Sequence, residues 1–134
     1  METNYRMLRL KPGSDVKQSL IEYCKESSIQ SGCIVSAVGS LSSMCVRVSD
    51  GKSIKEDHQN RELIHLSGTI TDGSVHIHLA AISSQMDVFG GHLMDGCIVH
   101  TTLEITLLDL SEQYENKRIF DSETGFDELK VIKK

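Results

Sequence analysis

Apolar and polar residues alternate along most of this chain, and the alternation begins at once. Tyr5 to Leu10 interleaves apolar and basic residues as a strand does, and Pro12 with Gly13 ends the run. Asp15 with Gln18 then forms a capping-box pair. Val16, Leu20, Ile21 and Cys24 fall on one 3.6-residue stripe, predicting a helix that Ser27, Ser28 and then Gly32 bring to a stop near residue 29. From Gly32 onward the signal is β. Residues 33–38, 44–49, 63–71, 74–83 and 98–109 are rich in Ile, Val, Leu and Thr, with weaker candidates at 118–120 and 126–131. Asp50-Gly51 and Asp72-Gly73 are two-residue turn signals, the second joining two of these runs into a hairpin. The pattern predicts one α+β domain over residues 1–134, a mostly antiparallel β-sheet with a helix packed on one face. In the run Ile98 to Asp109, apolar residues occupy both parities, which predicts a strand covered on both faces. With so little helix to supply the second cover, a neighbouring subunit and a closed symmetric oligomer are expected.

Histidines stand out against this background. His76 and His78 alternate within Val75-His76-Ile77-His78-Leu79, so on a strand they share a face about 7 Å apart. His92 follows Gly90-Gly91, and glycine lets a backbone turn sharply or approach another chain closely, so this third imidazole can return toward the preceding strand. Three histidines are the ligand set of an open zinc site. The alternative at Gly90-Gly91 is a plain turn with no site. His100 and Glu104 share a strand parity and are candidates for a fourth ligand or for a residue that orients one. His58 lies in the polar stretch Lys55 to Asn60 and reads as solvated loop, and His65 reads as a packed or surface histidine.

Composition narrows the classes. The chain has 134 residues, 39% hydrophobic content and a formal charge of −5, enough apolar material for one core and too little clustered Lys and Arg for a free-standing polyanion binder. Aromatic content of 4% with no Trp argues against a stacking platform for single-stranded nucleic acid. Cys24, Cys33, Cys45 and Cys97 are scattered among apolar neighbours and read as free thiols. The N-terminal residues lack an apolar leader core, and no run approaches a membrane span, so an intracellular setting is expected, the cytoplasm ahead of the nucleus. Neither a Gly-x-Ser-x-Gly elbow nor a P-loop is present.

Several segments in order carry a resemblance: Gly39-Ser40-Leu41, Arg61-Glu62-Leu63-Ile64, Leu66-Ser67-Gly68-Thr69, His76-Ile77-His78-Leu79, Gly90-Gly91-His92-Leu93, Gly96-Cys97-Ile98-Val99, Thr102-Leu103-Glu104-Ile105 and Thr124-Gly125-Phe126-Asp127-Glu128-Leu129. Together they resemble the PPC domain, the plants and prokaryotes conserved domain. The resemblance implies a compact fold on an antiparallel sheet, a homotrimer and, as in stand-alone microbial members, a metal, commonly zinc, held by His76, His78 and His92. In plants the domain follows an AT-hook that contacts DNA. No Arg-Gly-Arg core of such a hook stands in this chain, so the comparison favours the stand-alone type and not a DNA-associated accessory protein.

The leading expectation is a non-enzymatic trimeric module with a structural or sensing metal and a small ligand or protein partner at its subunit junctions. The alternative is a zinc-dependent hydrolase that activates water at an open fourth position, with Glu104 as proton acceptor. Arg61, Glu62 and Arg118 match the family pattern and are expected, with Gly90 and Gly91, to lie at a subunit cleft or interface, where the charged residues could equally form ion pairs.

Overall fold

In the computed structural model, which describes residues 3–134, the alternating segments pair into antiparallel strands around a single helix. Met1 and Glu2, which open the N-terminal stretch read above, lie outside the described residues. In chain order the elements are β1 (Tyr5–Leu10), α1 (Val16–Glu26), β2 (Ser31–Arg47), β3 (Ile54–Asp57), β4 (Arg61–Thr71), β5 (Ser74–Ile82), β6 (Val88–Leu93), β7 (Ile98–Asp109), β8 (Lys117–Asp121) and β9 (Phe126–Lys130). The α+β reading with a mostly antiparallel sheet holds.

Asp15 starts the helix as its pattern predicts, with Oδ1 accepting the Gln18 N–H at 3.0 Å. The capping box is not closed reciprocally. Gln18 donates its side-chain amide to Asp95 at 2.6 Å, and Asp15 Oδ2 accepts from the Gly96 N–H at 2.7 Å, so the cap also fastens the helix to the loop before β7. The helix stops earlier than Gly32, which belongs to β2. Ser28 takes the left-handed conformation at φ 56°, and the Ile29 N–H returns to the Cys24 carbonyl at 2.8 Å. Val16, Leu20 and Cys24 are buried.

The main sheet runs β1-β7-β2-β4-β5-β6, with β3 beside β2. β6 also reaches β2 through Val46↔Leu93 and Arg47↔His92, which closes β2, β4, β5 and β6 into a ring. β2 is one strand of 17 residues where the sequence pattern predicts two. It survives the Gly39-Ser40 gap by bulging, with register shifts on either side, and a Cβ at Gly39 would lie 2.0 Å from the Thr102 carbonyl oxygen. Asp72-Gly73 makes the predicted hairpin turn between β4 and β5, both residues at positive φ. β8 and β9 pair only with each other.

One further expectation changes. Gly90-Gly91 is no turn: both glycines lie inside β6, and the chain reverses earlier, between Ser83 and Asp87. This chain covers β7 on one face, which leaves the other for the neighbouring subunit expected from the sequence. Val99, Leu103, Ile105 and Leu107 are buried, whereas Thr102, Glu104, Thr106 and Leu108 face outward, exposed or half-buried. Leu20, Leu41, Met44, Ile70, Ile77, Leu93, Leu103, Ile105 and Leu107 fill the interior, each worth about 1.5–3 kcal/mol of burial. All four cysteines are free, and burial foremost pushes the Cys24 and Cys97 thiols up to about 11. No helix among the described residues is long and apolar enough to cross a membrane.

Candidate metal centre

Strand alternation sets two of the three imidazoles. On β5, Ile77 and Leu79 point into the core, leaving His76 and His78 on the opposite, exposed face. The third comes from the neighbouring strand, because β6 pairs with β5 in the register His78↔His92. The two glycines before His92 permit that pairing. A Cβ on Gly90 would lie 2.4 Å from the Leu79 carbonyl oxygen and one on Gly91 2.8 Å from the Arg47 carbonyl oxygen, so β6 fits between β5 and β2 only where side chains are missing.

The rings converge. Their centroids lie 5.1, 5.2 and 5.6 Å apart, and one ligand nitrogen from each falls within 4.8 Å of the others. Tetrahedral zinc at about 2.0–2.1 Å from each nitrogen needs nitrogens about 3.3 Å apart, so a small inward swing of the exposed His76 and His78 rings completes the set. The Nδ1 atom of His92 is buried and has no hydrogen-bond partner among the described residues. Such an orphaned nitrogen is costly in a folded protein, and a cation relieves it. Burial foremost, then the Arg47 charge and the other two histidines, lowers the His92 imidazole to about 4, and burial followed by Arg118 lowers His76. Both rings are therefore neutral at physiological pH, the form that donates a lone pair to a metal. The residues fit a zinc-type ion.

Two cavities meet at His76 and His92. One extends past His78, His65, Val48 and Phe126, and the other past Ser74, Arg118 and Glu128. His65 is not part of the convergent set; its Nε2 bonds the Ser67 hydroxyl at 2.9 Å. His58 is exposed just beyond β3, with Nδ1 at 3.2 Å from the Ser43 hydroxyl.

His100 and Glu104 do not join the imidazoles within this chain. His100 lines a separate cavity with Ser40, Glu62 and Thr101, and Glu104, on the outward face of β7, accepts from the Thr102 hydroxyl at 3.3 Å. β7 does not neighbour β5 or β6 in the sheet, which is why shared parity on that strand does not lead to the site. Arg61 is a buried structural residue, ion-paired to Asp57 and Asp87 at 2.7 Å each, while Glu62 is exposed. Arg118 does reach the site: it lines the second cavity and donates to the Thr69 hydroxyl at 3.0 Å. Arg47, and Phe126 from the Thr124–Leu129 motif, neither of which the sequence pattern places at the site, border both cavities, with the Arg47 guanidinium 5.4 Å from the centre of the Phe126 ring. Only the strand-end position of Arg47 beside His92 explains its role, and that pairing is non-local.

Known proteins share this arrangement of strands. The hypothetical protein from Salmonella cholerae-suis superposes with a TM-score of 0.91 at 29% identity, covering 100% of this chain and 98% of its own. A metal-containing protein from Archaeoglobus fulgidus superposes with a TM-score of 0.75 at 25% identity, over 95% of this chain and 94% of its own. The Bifunctional protein GlmU of Synechococcus sp. (strain JA-3-3Ab) is 40% identical over 126 residues, 94% of this chain, but the chain spans only 20% of that protein's length. The family model of the Plants and Prokaryotes Conserved domain matches residues 2–111, from before β1 to just past β7 and across all three histidines. This chain belongs to the Plants and Prokaryotes Conserved domain family.

Proposed function

We propose that this protein is a trimeric metal-binding module in which His76, His78 and His92 hold one zinc ion per chain. The observation that carries the reading is the convergence of three imidazoles on one side of the β5–β6 pair, one of them, His92, with a buried Nδ1 that no group among the described residues satisfies. The metal content of the related Archaeoglobus protein supports it. Three protein ligands leave the fourth position of a tetrahedral ion open to a ligand. A binding role is favoured over hydrolysis because the proposed proton acceptor, Glu104, lies on another face, and among the described residues no carboxylate belongs to the convergent cluster.

The trimer is supported by the outward face of β1, β7 and β2. Residues paired across these strands share a face, which aligns Tyr5 with Leu108 and Cys33, Met7 with Thr106 and Ser36, and Arg9 with Glu104 and Val38. Tyr5, Met7 and Val38 are all more than half exposed on it, apolar side chains interspersed with Arg9, Glu104, Ser36 and Thr106, a mixed surface suited to a second copy.

The test is metal analysis of protein purified without an affinity tag, repeated on His76→Ala and His92→Ala. Zinc near one ion per chain is expected in the parent and loss of it in both variants. Full metal content in both variants would refute the assignment.

A further inference from the structure

The second cavity at the metal centre, of about 540 Å³, lies between the sheet and the β8–β9 hairpin and has room for a small metabolite. Two guanidinium groups border it from different elements, Arg47 at the end of β2 and Arg118 on β8, together with His76 and His92. Neither guanidinium has a carboxylate partner among the described residues. Arg47 instead stands over the Phe126 ring, and Arg118 is steadied by the Thr69 hydroxyl, which leaves most of their N–H donors free.

Asp127 and Glu128 border the same cavity and offset these charges until a metal adds two more positive ones. With the metal in place the cavity is net positive. A planar guanidinium matches the geometry of a carboxylate or phosphate, and an open metal position accepts an oxygen. The β8–β9 hairpin that carries Arg118 lies beyond the residues matched by the family model, but the Salmonella protein superposes over the full length of this chain, hairpin included.

We propose that this cavity binds a small oxyanion, a carboxylate or a phosphate, with one oxygen on the metal of His76, His78 and His92 and the remaining charge clamped by Arg47 and Arg118. This rests on the metal reading above.

Cobalt(II)-loaded protein tests both, because its visible spectrum reports the ion's coordination. Oxalate, malonate and inorganic phosphate are titrated in turn. A saturable spectral change is expected with at least one of them; the two carboxylates and the phosphate separate the two chemical sources. Arg47→Gln and Arg118→Gln should each weaken that binding by about tenfold with cobalt content unchanged, and Arg118→Lys, which keeps charge but loses the fork, should fall between. No response from metal-loaded parent protein to any probe, or equal binding by the arginine variants, overturns this inference and leaves the metal site standing. Failure of the parent to take up cobalt removes the metal reading and the inference with it.

Discussion

Replacing Arg61 with alanine tests the frame that keeps the metal centre in register. Its side chain is 2% exposed, and the guanidinium donates to Asp57 Oδ2 at 2.7 Å, Asp87 Oδ2 at 2.7 Å, the Asp87 carbonyl at 2.7 Å and the Ala81 carbonyl at 3.3 Å. One residue at the start of β4 thereby ties the end of β3 to the turn that leads into β6 and His92. The Arg61 hydrogen bond foremost holds the Asp57 carboxyl below its ordinary range. Removing one partner of a buried ion pair costs about 3–5 kcal/mol. Here Asp87 is 57% exposed and regains water, so the stranded groups are Asp57, at 16% exposure, and the two carbonyls. The lower end, about 3 kcal/mol, is the expected loss. With about 2 cal/mol/K of unfolding entropy per residue over 134 residues, that loss lowers Tm by about 10 °C. Urea and thermal denaturation of Arg61→Ala, Asp57→Asn and the double variant supply the measurement, and the double variant should lose less than the sum of the singles. Zinc content of folded Arg61→Ala should be unchanged. A loss under about 0.5 kcal/mol would refute the reasoning, since that is the range of ordinary surface substitutions.

Further outcomes follow from the same geometry. Because the His92 imidazole is lowered to about 4 in the fold and titrates near 6.5 when unfolded, the unfolded chain binds more protons between those values. Metal-free protein should therefore hold its full stability above about pH 6.5 and lose it as pH falls toward 4, by about 1–2 kcal/mol after allowing for solvent at the half-buried ring. Thermal melts in chelator that are flat across this window would contradict it. Gly90→Ala puts a Cβ 2.4 Å from the Leu79 carbonyl oxygen, so β6 must shift from β5 at a cost of about 1–3 kcal/mol, and metal affinity should fall with stability in parallel titrations. Parent-like stability and zinc uptake in that variant would show the close packing to be unimportant. Sedimentation should give a particle of about 45 kDa, three copies of the 14.9 kDa chain, and Met7→Glu with Val38→Glu should dissociate it; a parent particle the mass of one chain would end the trimer reading.

What was legible in the sequence divides along local and non-local lines. The helix cap at Asp15, the Asp72-Gly73 hairpin and the shared face of His76 and His78 are properties of short stretches, and local pattern is enough to find them. β6 was not legible as a strand. Val88 to Leu93 carries two glycines, which weaken any strand signal, and only the close packing against Leu79 and Arg47 reveals why glycine is required there. The same holds for β2, whose continuity through Gly39 is decided by the approach of Thr102 on β7. His100 and Glu104 were misplaced because strand parity orders residues along one strand and does not say which strands are neighbours. Arg47 gave no signal at all, since its partner His92 lies 45 positions further along the chain.

X-ray absorption at the zinc edge of the reconstituted protein tests the central claim most directly. The account predicts three imidazole nitrogens at about 2.0–2.1 Å with an oxygen completing the shell, and loss of that signal in His92→Ala. Zinc bound without imidazole scattering, or an unchanged spectrum in His92→Ala, would contradict it.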